Sequence, residues 1–119
     1  MSNSSQDVYK KVLGKNGERA VEKYLKQAGM KLLHRNFKTP FGEADLIAQE
    51  KDEIVFIEVK TRSSVVYGSG AEAVTREKQN RYYKIAQFYS LKKGKEVNAR
   101  FDVAEVSADL QINYFKNAF

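Results

Sequence analysis

The spacing of apolar and polar residues changes along this chain, and each change marks an element. From about Val8 to Ala28 it is helical, with Leu13, Gly17, Ala20, Val21, Tyr24, Leu25 and Ala28 clustering on one side. Gly29 stands where a left-handed C-cap glycine belongs. Met30–Phe37 reads as a strand and Thr39-Pro40-Phe41-Gly42 as a turn. Ala44–Gln49 and Ile54–Lys60 read as strands joined by a tight turn at Lys51-Asp52. Ile54–Val59 is apolar on both faces until Glu58, as expected of a central strand covered on both sides. Ser63–Gly70, with its serines and two glycines, reads as a mobile loop. A second helix is predicted from near Thr75 to Lys92, its buried stripe formed by Tyr82, Ile85, Ala86 and Tyr89. Basic residues and Gly94 end it, as the helix dipole and C-cap rules favour. Ala99–Val106 and Leu110–Phe115 read as two further strands. The order α-β-β-β-α-β-β predicts an α/β fold, a mixed sheet with helices packed on its faces.

Charged residues interrupt the two most apolar strands at only a few places. Pairing Glu50 with Glu53 puts Asp45 opposite Glu58, and strand alternation puts Glu58 and Lys60 on one face. Two carboxylates and a lysine then converge at one end of a hairpin. Asp and Lys on facing strands often pair as simple salt bridges. Within apolar strands, however, burial disfavours such charges unless they are paired or ligating. Carboxylates suit Mg²⁺, which keeps several waters and takes one or two protein carboxylates. Asp45 and Glu58 meet that requirement, and the Val59 carbonyl adds a third oxygen on the same strand. Beside such an ion, Lys60 would orient or deprotonate the attacking water, or stabilise the pentavalent state. The sequence leaves these roles open.

Helical geometry extends the set. Glu18 falls on the border of the first helix's apolar face, within reach of the metal through a water, whereas Glu22 lies farther round and is expected to be solvated. An ordinary boundary glutamate pairing with Arg19 or Lys23 would look the same. Lys78 falls in line with Tyr82, Ile85 and Tyr89 on the buried side, where a lysine needs an anionic partner, either the site's carboxylates or a bound nucleic-acid phosphate. Gln79 beside it is placed to touch a sugar or phosphate, or to be a plain surface residue. Arg62, Arg76, Arg81, Lys84, Lys92, Lys93 and Lys95, interleaved with Tyr67, Tyr82 and Tyr83, would hold a phosphate backbone and stack on bases. Charge runs are usually solvated faces, and tyrosines at helical spacing are usually core. His34, the single histidine, reads as structural.

Composition narrows the classes. A chain of 119 residues supports one core, so we expect a single domain over 8–119 after a frayed, disordered polar segment over 1–7. The formal charge of +6 favours polyanionic partners, nucleic acid first and an anionic membrane surface second. The absence of cysteine excludes disulfides, thiolate catalysis and cysteine zinc sites. No stretch is long and apolar enough to span a bilayer, and the polar start lacks a signal-peptide core, so a cytoplasmic location is expected.

Together these residues resemble the PD-(D/E)xK signature of the restriction-endonuclease-like superfamily. Within it the chain is similar to the YraN-like bacterial family of uncharacterised proteins named as endonucleases by motif, itself similar to archaeal Holliday-junction resolvases. The segments that carry the likeness are Gly14–Ala20, Arg35-Asn36-Phe37, Gly42–Ala48, Val55–Arg62, Ala73-Val74 with Lys78, Arg100–Val103 and Asn117-Ala118-Phe119. They cover nearly the whole chain from Gly14 on. The resemblance implies a restriction-endonuclease-like fold, with Glu18 the acidic residue of the first helix and Asp45 and Glu58 metal-binding carboxylates. It likewise implies that Lys60 is the catalytic lysine and Lys78 the basic residue of the second helix. Two departures fall at Ala44, which replaces the proline before Asp45 and a larger aliphatic residue usual in the family. The implied activity is Mg²⁺- or Mn²⁺-dependent endonucleolytic hydrolysis of DNA, on branched or distorted structures in repair or recombination. A homodimer through Tyr114, Phe115 and Phe119 would fit cutting of two strands, although those aromatics could equally pack within the chain. A non-catalytic nucleic-acid-binding or adaptor domain is the alternative, and the sequence does not separate DNA from RNA.

Overall fold

The computed structural model describes residues 4–62 and 74–119, with side-chain surroundings given from residue 13 onward. The elements are α1 (Ser4–Gln27), β1 (Lys31–Thr39), β2 (Gly42–Glu50), β3 (Glu53–Thr61), α2 (Arg76–Lys93), β4 (Asn98–Val106) and β5 (Ile112–Phe115). Their order is the expected α-β-β-β-α-β-β, and they form one five-stranded sheet ordered β1-β2-β3-β4-β5. Neighbours are antiparallel except β3 and β4, which run parallel and are connected through α2. The loop expected over Ser63–Gly70, with Tyr67, lies outside the described residues.

β3 is the central strand, which is why its sequence is apolar on both faces. Val55 and Ile57 pack with Val21 and Leu25 of α1, whereas Phe56 packs with Tyr82, Ile85 and Tyr89 of α2. The tight turn at Lys51-Asp52 forms as expected, with Lys51 at φ 56, and Glu50 pairs with Glu53. Local chemistry ends each helix. Gly29, at φ 86, donates to the Lys26 carbonyl after α1. Thr75 caps α2 by accepting the Lys78 N–H, and Gly94 at φ 74 closes its other end.

Several boundaries differ from expectation. α1 starts at Ser4 rather than near Val8, taking in part of the segment expected to be frayed. Its buried face is also narrower than the wheel predicted: Gly17, Val21 and Leu25 are buried, while Tyr24 and Ala28 are exposed. One i, i+4 row therefore makes the contact with the sheet. β1 runs on to Thr39, and β5 starts at Ile112 because Leu110 adopts φ 64 in a turn.

A buried ionic network ties the hairpin end of the sheet together. Arg100 reaches Asp102 through two hydrogen bonds of 3.0 and 2.9 Å and also contacts Glu50 at 2.7 Å and Glu53 at 3.0 Å. Asp102 additionally accepts from the Tyr114 hydroxyl at 2.6 Å and the Asn117 N–H at 2.8 Å. Tyr114 stacks on Tyr24, and Phe119 stacks on Phe101. These two C-terminal aromatics therefore pack within the chain, the alternative that the sequence had left open.

Candidate active site

Glu58 projects toward α2 from the C-terminal half of β3. The β2–β3 ladder closes at Leu46↔Ile57, one position before Asp45 and Glu58 would pair. Side-chain alternation also slips there, since Ala44 and Ile47, three apart, both join the α2-side core. The Asp45 carboxylate fills the opening and accepts the Val59 N–H at 2.8 Å. The register that brings Asp45 and Glu58 together is thus the expected one, although the two residues sit just past the paired region.

Glu58 is nearly buried and has a partner for each oxygen. Tyr82 donates its hydroxyl to one at 2.8 Å, and Lys78 donates its ammonium to the other at 2.6 Å. The inward lysine of α2 thus has the anionic partner its position required. Tyr82, read from sequence as core or as a base-stacking ring of the basic patch, is buried and joins the site: its hydroxyl also accepts the Asp45 N–H at 3.4 Å. Its spacing from Lys78, one helical turn along the same stripe, was the available signal.

These groups line a cleft of about 430 Å³, together with Lys60, Val59, Glu43 and Arg81. Lys60 is half-buried and makes no ion pair or side-chain hydrogen bond among the described residues. Burial and then the charge of Glu58 push the Asp45 carboxyl up to about 8, against the lowering effect of the Val59 N–H. Burial, followed by the nearby Glu58 and Asp45 charges, also raises the Tyr82 hydroxyl well above its ordinary value, so it stays a donor. Two carboxylates crowded in this way would suit a cation with affinity for hard oxygens. Among the described residues no group of three Asp, Glu, His or Cys side chains assembles, so an ion here would have Asp45, Glu58 and backbone oxygens to bind.

Glu18 is half-buried on α1 and is not part of the cleft wall. Burial raises its carboxyl, a hydrogen bond from Asn36 opposes this, and Glu43 and Glu22 raise it further. Asn36 also donates to Glu43 at 3.1 Å, and Glu43 does line the cleft. Asn36 and Glu43 therefore link Glu18 to the site, roles that strand-edge polar residues did not advertise in sequence. Glu22, expected to be solvated, is instead paired with Arg35 at 2.9 Å.

The cationic residues divide by surroundings. Arg81 is exposed at the cleft and Arg76 is exposed at the start of α2. Gln79 is half-buried, with its side-chain amide donating to the Val74 carbonyl at 3.2 Å. Arg62 pairs with the fully buried Glu105 at 2.9 Å, which makes it a charge-compensating residue rather than a free cation. That pair leaves Arg62 Nε and Glu105 Oε1 buried without partners. Lys92 and Lys93 lie over Phe88 and Tyr89 at the far end of α2. His34 packs edge-on against Tyr89, and burial lowers its pKa, a structural placement.

Residues 17–106 match the Uncharacterised protein family UPF0102. The chain belongs to this family. It is 46% identical to a UPF0102 protein of Clostridium botulinum, over 92% of this chain and 94% of the relative. A UPF0102 protein of Caldicellulosiruptor saccharolyticus is 43% identical over 92% of this chain and 98% of that one. Among solved structures, Hjc of Archaeoglobus fulgidus, a Holliday junction resolvase from an archaeal hyperthermophile, superposes with a TM-score of 0.52 at 21% identity. That match covers 83% of this chain and 72% of the resolvase. The UPF0102 chain therefore has a resolvase-like fold, as the sequence led us to expect. Among the described residues, no helix is long and apolar enough to cross a membrane.

Proposed function

We propose that this UPF0102 protein is a metal-dependent endonuclease that hydrolyses phosphodiester bonds in DNA. The observation that carries the reading is the convergence of Asp45, Glu58 and Lys60 on one cleft at the splayed end of β2 and β3. The Asp45 and Glu58 carboxylates and the Val59 carbonyl would hold Mg²⁺ or Mn²⁺, which supplies Lewis acidity toward a phosphoryl oxygen when bound. Lys60 is the candidate to orient or deprotonate the attacking water or to stabilise the pentavalent phosphorus. Tyr82 and Lys78 fix the Glu58 rotamer through its two oxygens. Glu18 acts behind Asn36 and Glu43, tuning the negative potential of the cleft. Arg81 and Arg76 are the exposed cations for substrate phosphates. The Holliday junction resolvase named above makes branched DNA the first substrate to try.

The test is cleavage of supercoiled, linear and junction DNA with Mg²⁺ or Mn²⁺, beside Asp45→Asn and Lys60→Ala. Loss of cutting in both variants is expected, whereas cleavage that survives in both would point to a contaminant and sink the assignment. One observation favours a second reading, a nucleic-acid-binding adaptor: the Lys78 ammonium already neutralises Glu58. Calorimetric titration separates the two. Absence of Mg²⁺ and Mn²⁺ binding, together with salt-sensitive DNA binding, supports the adaptor.

A further inference from the structure

The turn between β1 and β2 holds an aromatic ring in the open beside the cleft. Phe41 is 45% exposed, one of the largest apolar side chains left outside the core. Single exposed apolar residues usually need no explanation. This one is held in place, with Lys84 over its ring and Arg81 beside the next residue. The Thr39 hydroxyl accepts the Phe41 N–H at 3.0 Å and donates to the Gly42 carbonyl at 2.8 Å, so the tip is internally tied. Lys84 of α2 lies over the ring, 5.9 Å from its centroid. Arg81 passes close to Gly42, within 3.7 Å of where a Cβ would stand, and also lines the cleft.

Beyond Lys78, which holds the Glu58 carboxylate, Arg81 and Lys84 follow at intervals of three along α2 and lead to the Phe41 ring. Six residues of helix rise about 9 Å. At roughly 3.4 Å per nucleotide of a stacked strand, that is two to three nucleotides. A row of cations leading from a carboxylate cleft to an exposed, pre-positioned ring suits a polynucleotide backbone with one base turned out. Aromatic faces bind unpaired bases, and duplex bases offer no free face to a side chain at a hairpin tip.

We infer that Phe41 is a base-stacking platform that selects strands with an unpaired base two to three nucleotides from the scissile phosphate. Such strands include overhangs, flaps and single strands. The inference rests on the endonuclease reading of the cleft and adds a determinant of substrate choice.

The test is a binding measurement in EDTA, so cleavage plays no part. The chain contains no tryptophan, so Phe41→Trp creates a single tryptophan at the tip, excited selectively beyond the absorption of the tyrosines. Oligothymidylate and an overhang duplex should quench its emission, while a blunt duplex should not. Phe41→Ala should weaken oligothymidylate binding about tenfold and leave blunt-duplex binding unchanged, and Phe41→Tyr should retain it. Equal quenching by all three probes, or no effect of Phe41→Ala on single-strand binding, would overturn the inference while leaving the endonuclease reading intact. Emission that shifts with protein concentration alone would make Phe41 a contact between copies and also overturn it. If the wild-type protein binds none of the probes, the platform falls together with the nucleic-acid reading of the cleft.

Discussion

Asp45 carries the least comfortable charge in the described site. An unfolded aspartate titrates near about 3.9, and in the folded chain the group is pushed up to about 8 by burial and Glu58. With the folded value above the unfolded one, the associated stability is present below pH 4 and is lost as pH rises through 8. In metal-free protein, melting temperature should therefore decline between pH 6 and pH 8 in wild type and decline less in Asp45→Asn. Given the coupling to Glu58, we expect a difference on the order of 1–2 kcal/mol, or several degrees by calorimetry. If metal binds here, Mg²⁺ should restore wild-type stability at pH 8 and leave the variant unmoved. Parallel curves for the two proteins would refute the burial of a charged Asp45. The hairpin spacing exposed Asp45, Glu58 and Lys60 at once because strand periodicity is short and fixed. Tyr82 was not legible, since a tyrosine on a buried stripe looks the same whether or not its hydroxyl reaches a carboxylate.

At the scale of elements, α1 lies close on β3. A Cβ at Gly17 would collide with the Thr61 methyl and stand 3.7 Å from Val106. Thr61 follows Lys60 directly, so this contact sets how near the helix carrying Glu18 approaches the end of β3. Gly17→Ala should gain up to about 1 kcal/mol in helix propensity and lose about 1–3 kcal/mol to overpacking, with net destabilisation. Thr61→Ser removes the opposing methyl and should recover the loss in the double variant. Urea denaturation across the four-protein cycle checks this, and additive effects would show that the two residues do not touch. Helix and strand identities were legible because their periods were strong. The depth of α1 packing was not, because a glycine on an apolar helix face reads equally as tolerance or as close approach.

Across the whole molecule, charge is sorted by the sheet. The Arg100 network and the Arg62–Glu105 pair hold cations inside, compensated by carboxylates. Arg76 and Arg81 remain outside on α2. If DNA follows α2, its affinity should fall with salt, and Arg81→Ala should reduce the slope of log affinity against log salt by about 1. Lys92→Ala, at the far end of the helix, should leave that slope unchanged. Equal slopes for wild type and Arg81→Ala in fluorescence anisotropy would place the strand elsewhere.

By itself the sequence determined the element order, the central strand and the meeting of Asp45 with Glu58. These follow from periodicity and a two-residue turn, both local properties of the chain. It also singled out Lys78 as an inward lysine that needed an anion. Only the tertiary structure decided what that anion was, that Arg62 is spent on a buried carboxylate, and that Tyr114 and Phe119 face inward. It alone linked Glu18 through Asn36 to the cleft wall and left Phe41 outside beneath Lys84. Each of these depends on residues far apart in the chain, whose distances are set by how two helices pack on opposite faces of one sheet.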